Sequence, residues 1–233
     1  MDYITARMCN ITARTCVRFF PRTNERDYLA IVSHTGCWSF VGRQGGKQLL
    51  SLQILNKNGQ SCLNGTIVEH ELLHALGFVH EHTRLDRDTY IKIDLDNVEP
   101  LYREQFGKYA RQFVSIIPYD VHSVMHYSSA TFALNLTLPV ITIVQPINAT
   151  TVNVTTLLIA PALALSELDI QRINELYGCT PRPHVSGGTT TVAPVNTTVS
   201  CVDPLLTGND DLPDPTAADT CELFGAATGA GVG

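Results

Sequence analysis

The stretch His70-Glu71-Leu72-Leu73-His74-Ala75-Leu76-Gly77-Phe78-Val79-His80 sets three imidazoles and one carboxylate at fixed offsets, a pattern with little use except around a metal ion. An α-helix rises about 1.5 Å per residue, so His70 and His74 leave the same face about one turn apart and can reach one ion. Ile67, Val68, Leu72, Leu73 and Leu76 supply the apolar positions of a buried helix, and Thr66 with Glu69 reads as a capping box ahead of it. Gly77 stands where a C-terminal cap belongs. Its freedom at positive φ lets the chain turn, so that His80 approaches the ion from another direction. Three neutral imidazoles leave the fourth position of a tetrahedral zinc open to water, which marks a catalytic rather than a closed structural site. Glu71 points away from His70 and suits a base that takes a proton from that water.

Downstream, Ser123-Val124-Met125-His126-Tyr127 has the form of the methionine turn that lies beneath the zinc in metzincins. The run His80-Glu81-His82-Thr83-Arg84-Leu85-Asp86-Arg87-Asp88 extends the metal motif. On these residues the chain resembles the astacin family of zinc endopeptidases over roughly residues 10 to 180. The resemblance implies an α+β fold, a metzincin-type two-lobed zinc protease domain. Such a domain has a twisted mixed sheet, the zinc-binding helix above the cleft, and a mostly irregular lower lobe with a C-terminal helix. It implies one Zn2+ per chain held by His70, His74 and His80, with Glu71 as general base and Met125 as the floor. Tyr127 would be a phenol that ligates zinc at rest and swings away to stabilise the oxyanion. The resemblance also implies disulfides Cys16–Cys179 and Cys37–Cys62, and a strand matching Trp38 to Arg43 that pairs with extended substrate. Trp38 itself reads as core. Glu81 would lie in a buried salt-bridged cluster near the N-terminus of a processed enzyme, while Arg84, Asp86, Arg87 and Asp88 read equally well as a solvated loop.

The expected activity is hydrolysis of internal peptide bonds of extracellular proteins through a metal-activated water, by a secreted monomer with protein or peptide substrates. Two alternatives stand beside it. One is a catalytically inactive, zinc-stabilised fragment that only binds peptides, and the other is a structural metal module with a fourth ligand such as Cys62 or His82.

A chain of 233 residues with 44% hydrophobic residues can build one real core, and a net charge of −6 gives no reason to expect nucleic acid as a partner. The longest apolar stretch, Leu157 to Leu165, is short and broken by Pro161, so no membrane span is expected. No charged region followed by an apolar segment opens the chain, so no signal peptide is read in it. Seven cysteines imply bridges with one left over, and Cys9 is the expected odd thiol or a competitor for Cys179. Asn-X-Ser/Thr sequons begin at Asn10, Asn64, Asn135, Asn148, Asn153 and Asn196, in keeping with a secretory route.

Residues 3 to 20 read as a helix leading into an extended stretch, and within them Ile4 to Asn10 is nearly repeated as Ile11 to Val17. Tyr28 to Ser33, Trp38 to Gly42 and Lys47 to Leu55 read as strands with Gly45-Gly46 as a hairpin turn. Tyr90 to Ile93 reads as a short strand, Glu99 to Ala110 as a helix, and Ser166 to Tyr177 as the closing helix with Ser166 and Asp169 at its cap. This gives a catalytic domain at 1–180, N-terminally truncated by comparison with the family, a Thr/Pro-rich linker at 181–200, and a tail at 201–233. That tail reads as disordered, or as the start of a small disulfide module. The truncation predicts that Glu81 lacks its usual partners. The loop Leu157 to Leu165 carries no basic residue that would favour an acidic side chain after the scissile bond, and residues 133 to 160 are unusually apolar and sequon-bearing.

Overall fold

The computed structural model describes residues 2–109, 117–144, 158–179 and the backbone of 220–224. Helix α1 (Asp2–Arg14) presents Ile4, Met8 and Ile11 at helical spacing to the upper core, with Ile11 fully buried. It lies against helix α2 (Ile67–Ala75), which carries the metal motif, and Tyr3 ties the two by donating its hydroxyl to Gly65 O at 2.6 Å. Strands β1 (Arg18–Pro21), β2 (Tyr28–Val32), β3 (Cys37–Ser39) and β4 (Lys47–Leu52) follow α1. β3 doubles back antiparallel on β4, pairing Trp38 with Ser51, so that β4 runs parallel to β2. Gly45 and Gly46 take φ of 83° and 65° in the connection, where a side chain would be strained.

The sheet order is β1-β7-β2-β4-β3, where β7 (Thr220–Phe224) comes from the far end of the chain and pairs antiparallel with both β1 and β2. The tail at 201–233 therefore contributes a strand, which alternation over so short a stretch did not announce. β3 closes one edge of the sheet.

The lower lobe has its own apolar cluster around Ile91, Val98, Phe106, Tyr119, Val121 and Ile141. Its regular structure is small. β5 (Ile91–Ile93) pairs antiparallel with β6 (Ile141–Ile143), and the helix expected from Glu99 is a 3-10 turn over Pro100–Phe106, closed where Gly107 N donates to Glu104 O at 3.0 Å. Helix α3 (Glu167–Leu176) returns to the upper core through Ile170 and Ile173. Its capping box is formed as expected, with Ser166 and Asp169 exchanging side-chain and backbone bonds.

Both expected disulfides form: Cys16–Cys179 fastens α1 to the end of α3, and Cys37–Cys62 fastens β3 to the segment leading into α2. Cys9, expected as the odd thiol, is disulfide-bonded as well. Cys201 and the sequons at Asn148, Asn153 and Asn196 lie outside the described residues.

Candidate metal centre

Helix α2 does what its spacing requires: His70 and His74 share a face with ring centroids 4.6 Å apart. The expected capping box does not form. Thr66 donates its hydroxyl to Ala162 O at 3.1 Å instead, and Glu69, fully buried, accepts from Arg7 and Asn10 of α1. Tertiary partners from two other segments prevail over the local cap. At the helix end Gly77 takes φ of 105°, and the chain turns back so that His80 comes within 4.8 Å and 5.1 Å of His74 and His70, ring to ring. Gly42 N donates to His74 O at 2.8 Å, which sets the end of the helix against the turn after β3.

The ring nitrogens of His70, His74 and His80 all lie within 4.8 Å of one another. The Nε2 atoms of His70 and His80 are 3.2 Å apart. Tetrahedral zinc with bonds of about 2.0–2.1 Å places its ligand nitrogens about 3.3 Å apart, so the spacing suits that ion. His70 Nδ1 lies 2.7 Å from Val124 O and His74 Nδ1 lies 2.8 Å from Phe78 O. A carbonyl only accepts, so each Nδ1 carries the proton and each Nε2 presents its lone pair to the shared space, as in many metal sites. Burial pushes His70 down to about 4, and it lowers His74 and His80 too, so all three rings are neutral at pH 7 and ready to ligate.

Glu71 lines the same cleft, which has a volume of about 500 Å³. It is 4% exposed, and its Oε2 has no hydrogen-bond partner among the described residues. Burial raises its carboxyl to about 8. A cation among the three histidines would pull it back toward the ionised form. Beneath the histidines Met125 is 3% exposed, and its carbonyl accepts from Glu81 N at 2.9 Å. The turn is held from α3: Asp169 accepts from Ser123 Oγ at 2.5 Å and from Val124 N at 3.0 Å. Tyr127 follows it into the cleft wall with its ring 4.6 Å from His80, and burial pushes its phenol up to about 12.

Glu81 is not short of partners. Its Oε1 accepts from Arg172 Nη2 at 2.7 Å, Arg84 Nη1 at 3.2 Å and Asp120 N at 2.9 Å, all within the described lobes. Burial still raises it to about 7 against the pull of Arg172 and Arg84. Arg84 is thus buried rather than solvated, while Asp88 sits outside, paired with Arg87 and Lys108. Trp38, expected in the core, lines the cleft. His82 is fully buried, lies 4.0 Å from the Tyr127 ring as a stacked pair, and approaches Gln105 O at 3.0 Å through Nε2. It is therefore not a fourth metal ligand, and neither is Cys62, which is bonded to Cys37. Arg172 and the Tyr119–His126 hydrogen bond of 2.7 Å are parts of this floor that no spacing in the sequence marks.

A family model described as Astacin, a peptidase family, matches residues 1–178. The chain belongs to the astacin family. It is 40% identical over 176 residues to "High choriolytic enzyme 1" of Oryzias latipes, an alignment covering 76% of this chain and 60% of that protein. It is 43% identical over 167 residues to "Zinc metalloproteinase nas-6" of Caenorhabditis elegans, covering 71% of this chain and 44% of the relative. The chain thus spans less than two thirds of the length of these relatives. The solved structure of High choriolytic enzyme 1, described as a hatching enzyme zinc-protease, matches with a TM-score of 0.64 at 39% identity, covering 76% of this chain and 82% of that one. For this astacin-family chain the fold is the expected α+β metzincin type, and zinc is the cofactor its three histidines are built to hold.

Proposed function

We propose that this chain is a zinc-dependent endopeptidase that cleaves internal peptide bonds of extracellular proteins. The observation that carries the reading is the convergence of His70, His74 and His80 beside a buried carboxylate with an unpartnered oxygen, in an open cleft. Held by the three imidazoles, zinc would supply Lewis-acid polarisation of a carbonyl and would make a nearby water more acidic. Everything else falls to the chain's own residues.

β3 forms an edge of the sheet, and Cys37, Trp38 and Ser39 line the cleft, so an extended peptide can add to its backbone as a further strand. That pairing would lay the scissile bond across the site. Glu71 takes a proton from the attacking water and gives it to the leaving amine. Its buried setting keeps its carboxyl affinity for protons near the working range once a cation is close. Tyr127, on the cleft wall, donates its phenolic proton as a hydrogen bond to the oxyanion. Stacking on His82 limits how its ring can tilt.

The catalytic unit runs to near residue 180 and takes in β7 from the tail, with residues 181–200 as the link between the two, and the protein acts as a monomer outside the cell, where its disulfides persist. The test is cleavage of a quenched peptide by the zinc-loaded full chain. Activity is expected to vanish with 1,10-phenanthroline and with Glu71→Ala; activity that survives both ends this reading.

A further inference from the structure

Three of the six sequons begin at described residues, and the fold treats them differently. Asn10 lies in α1, where its Nδ2 donates to the fully buried Glu69 at 3.3 Å, so a saccharide there would wedge α1 from the zinc helix. Asn64 is exposed in the turn before α2. Asn135 is exposed in a fixed turn. Its backbone N donates to Asn97 Oδ1 at 2.9 Å, Asn97 Nδ2 donates back to Asn135 O at 3.2 Å, and its own Oδ1 accepts from Thr137 N and Oγ1 at 2.9 and 2.7 Å. Its carboxamide nitrogen has no partner among the described residues. On both sides of it stand leucines that the fold leaves outside: Leu134, Leu136 and Leu138 are 57%, 78% and 52% exposed. Three branched apolar side chains within five residues on a rigid loop are a surface that calls for a cover.

We propose that Asn135 carries an N-linked oligosaccharide that lies over Leu134, Leu136 and Leu138. The transfer joins Asn135 Nδ2 to C1 of the first sugar, and the C1–O bond to the diphosphate of a lipid-linked oligosaccharide donor breaks. The amide proton leaves to a base of the transferase, and the lipid diphosphate is the leaving group. No oxidant or reductant is needed. The inference rests on the extracellular reading above and is independent of catalysis.

The test is expression of the full chain through the secretory pathway of cultured animal cells, followed by enzymatic deglycosylation in 18O water and peptide mass mapping. Asn135 is expected to convert to labelled Asp in most molecules, and Asn10 in none. Thr137→Ala should remove one glycan and lower secreted yield several-fold, whereas Thr137→Ser, which keeps the sequon, should not. Changing the three leucines to serine in the Thr137→Ala background should restore the yield. Glycans found at Asn64 but not at Asn135 overturn the site and leave the extracellular reading standing. A chain that is neither secreted nor glycosylated overturns both. An occupied Asn135 with yield indifferent to its loss overturns the role as a cover for the leucines.

Discussion

Replacing Arg172 by methionine keeps most of the side-chain volume and removes one guanidinium from beneath the site. Arg172 Nη2 makes two bonds of 2.7 Å, to Glu81 Oε1 and to Pro118 O, and the side chains of Arg172 and Glu81 are 6% and 4% exposed. After the change Glu81 retains Arg84 and Asp120 N, while the Pro118 carbonyl loses this donor. Removing one partner of a buried pair costs about 3–5 kcal/mol. Protonation limits that cost here: Glu81 already sits at about 7, and losing Arg172 raises it further, so near pH 7.5 the carboxyl turns neutral. A loss at the lower end, about 3 kcal/mol, is expected, which for a domain of this size lowers the melting temperature by about 6–12 °C. The assay is calorimetry of the oxidised, zinc-loaded protein. Arg14→Met serves as control, since Arg14 pairs with a Glu167 that is 84% exposed, and it should shift the transition by only about 1–2 °C. Adding Glu81→Gln to Arg172→Met should recover part of the loss. Single variants that melt alike would refute the claim that Arg172 neutralises a buried carboxylate under the metal loop.

The two bridges should differ in strength: at sequence separations of 163 and 25, loop entropy assigns about 5 kcal/mol to Cys16–Cys179 and about 3.5 kcal/mol to Cys37–Cys62, and urea unfolding of the paired Ser variants should rank them in that order. His126 is held neutral, burial having pushed it down to about 4, so the unfolded chain takes up its proton first. Its contribution is full above about pH 6.5 and lost as the pH falls toward 4, by about 3 kcal/mol there; urea midpoints over that range should show a fall to which the other buried histidines add, and His126→Gln should make it shallower by about that amount. Tyr127→Phe should lower kcat about 100-fold with KM within a few-fold, and an unchanged kcat removes the phenol from the oxyanion role.

The zinc helix, the turn at Gly77, the bridge pairing and the cap at Ser166 were legible because each is written in local spacing or in a family pattern carried by nearby residues. Thr66 and Glu69 were misleading for a physical reason: a cap contributes about 1 kcal/mol, and the buried contacts with α1 and with Ala162 compete successfully for both side chains. Of the partners of Glu81, only Arg84, three residues on, lies near it in the sequence. Arg172 is 91 residues away and meets Glu81 only because α3 packs beneath the methionine turn. His82 shows the same limit, since its stacking on Tyr127 needs two segments 45 positions apart to be placed in space. The strand β7 and the turn over Pro100–Phe106 depend likewise on what lies beside them rather than on their own composition.

Zinc-edge X-ray absorption on the purified full chain tests the central claim most directly. One ion per chain is expected, with three imidazole nitrogens at about 2.0–2.1 Å and no sulfur in its shell, and with the imidazole signal reduced in His80→Ala. A shell containing sulfur, or one unchanged by the loss of His80, would contradict the site described for His70, His74 and His80.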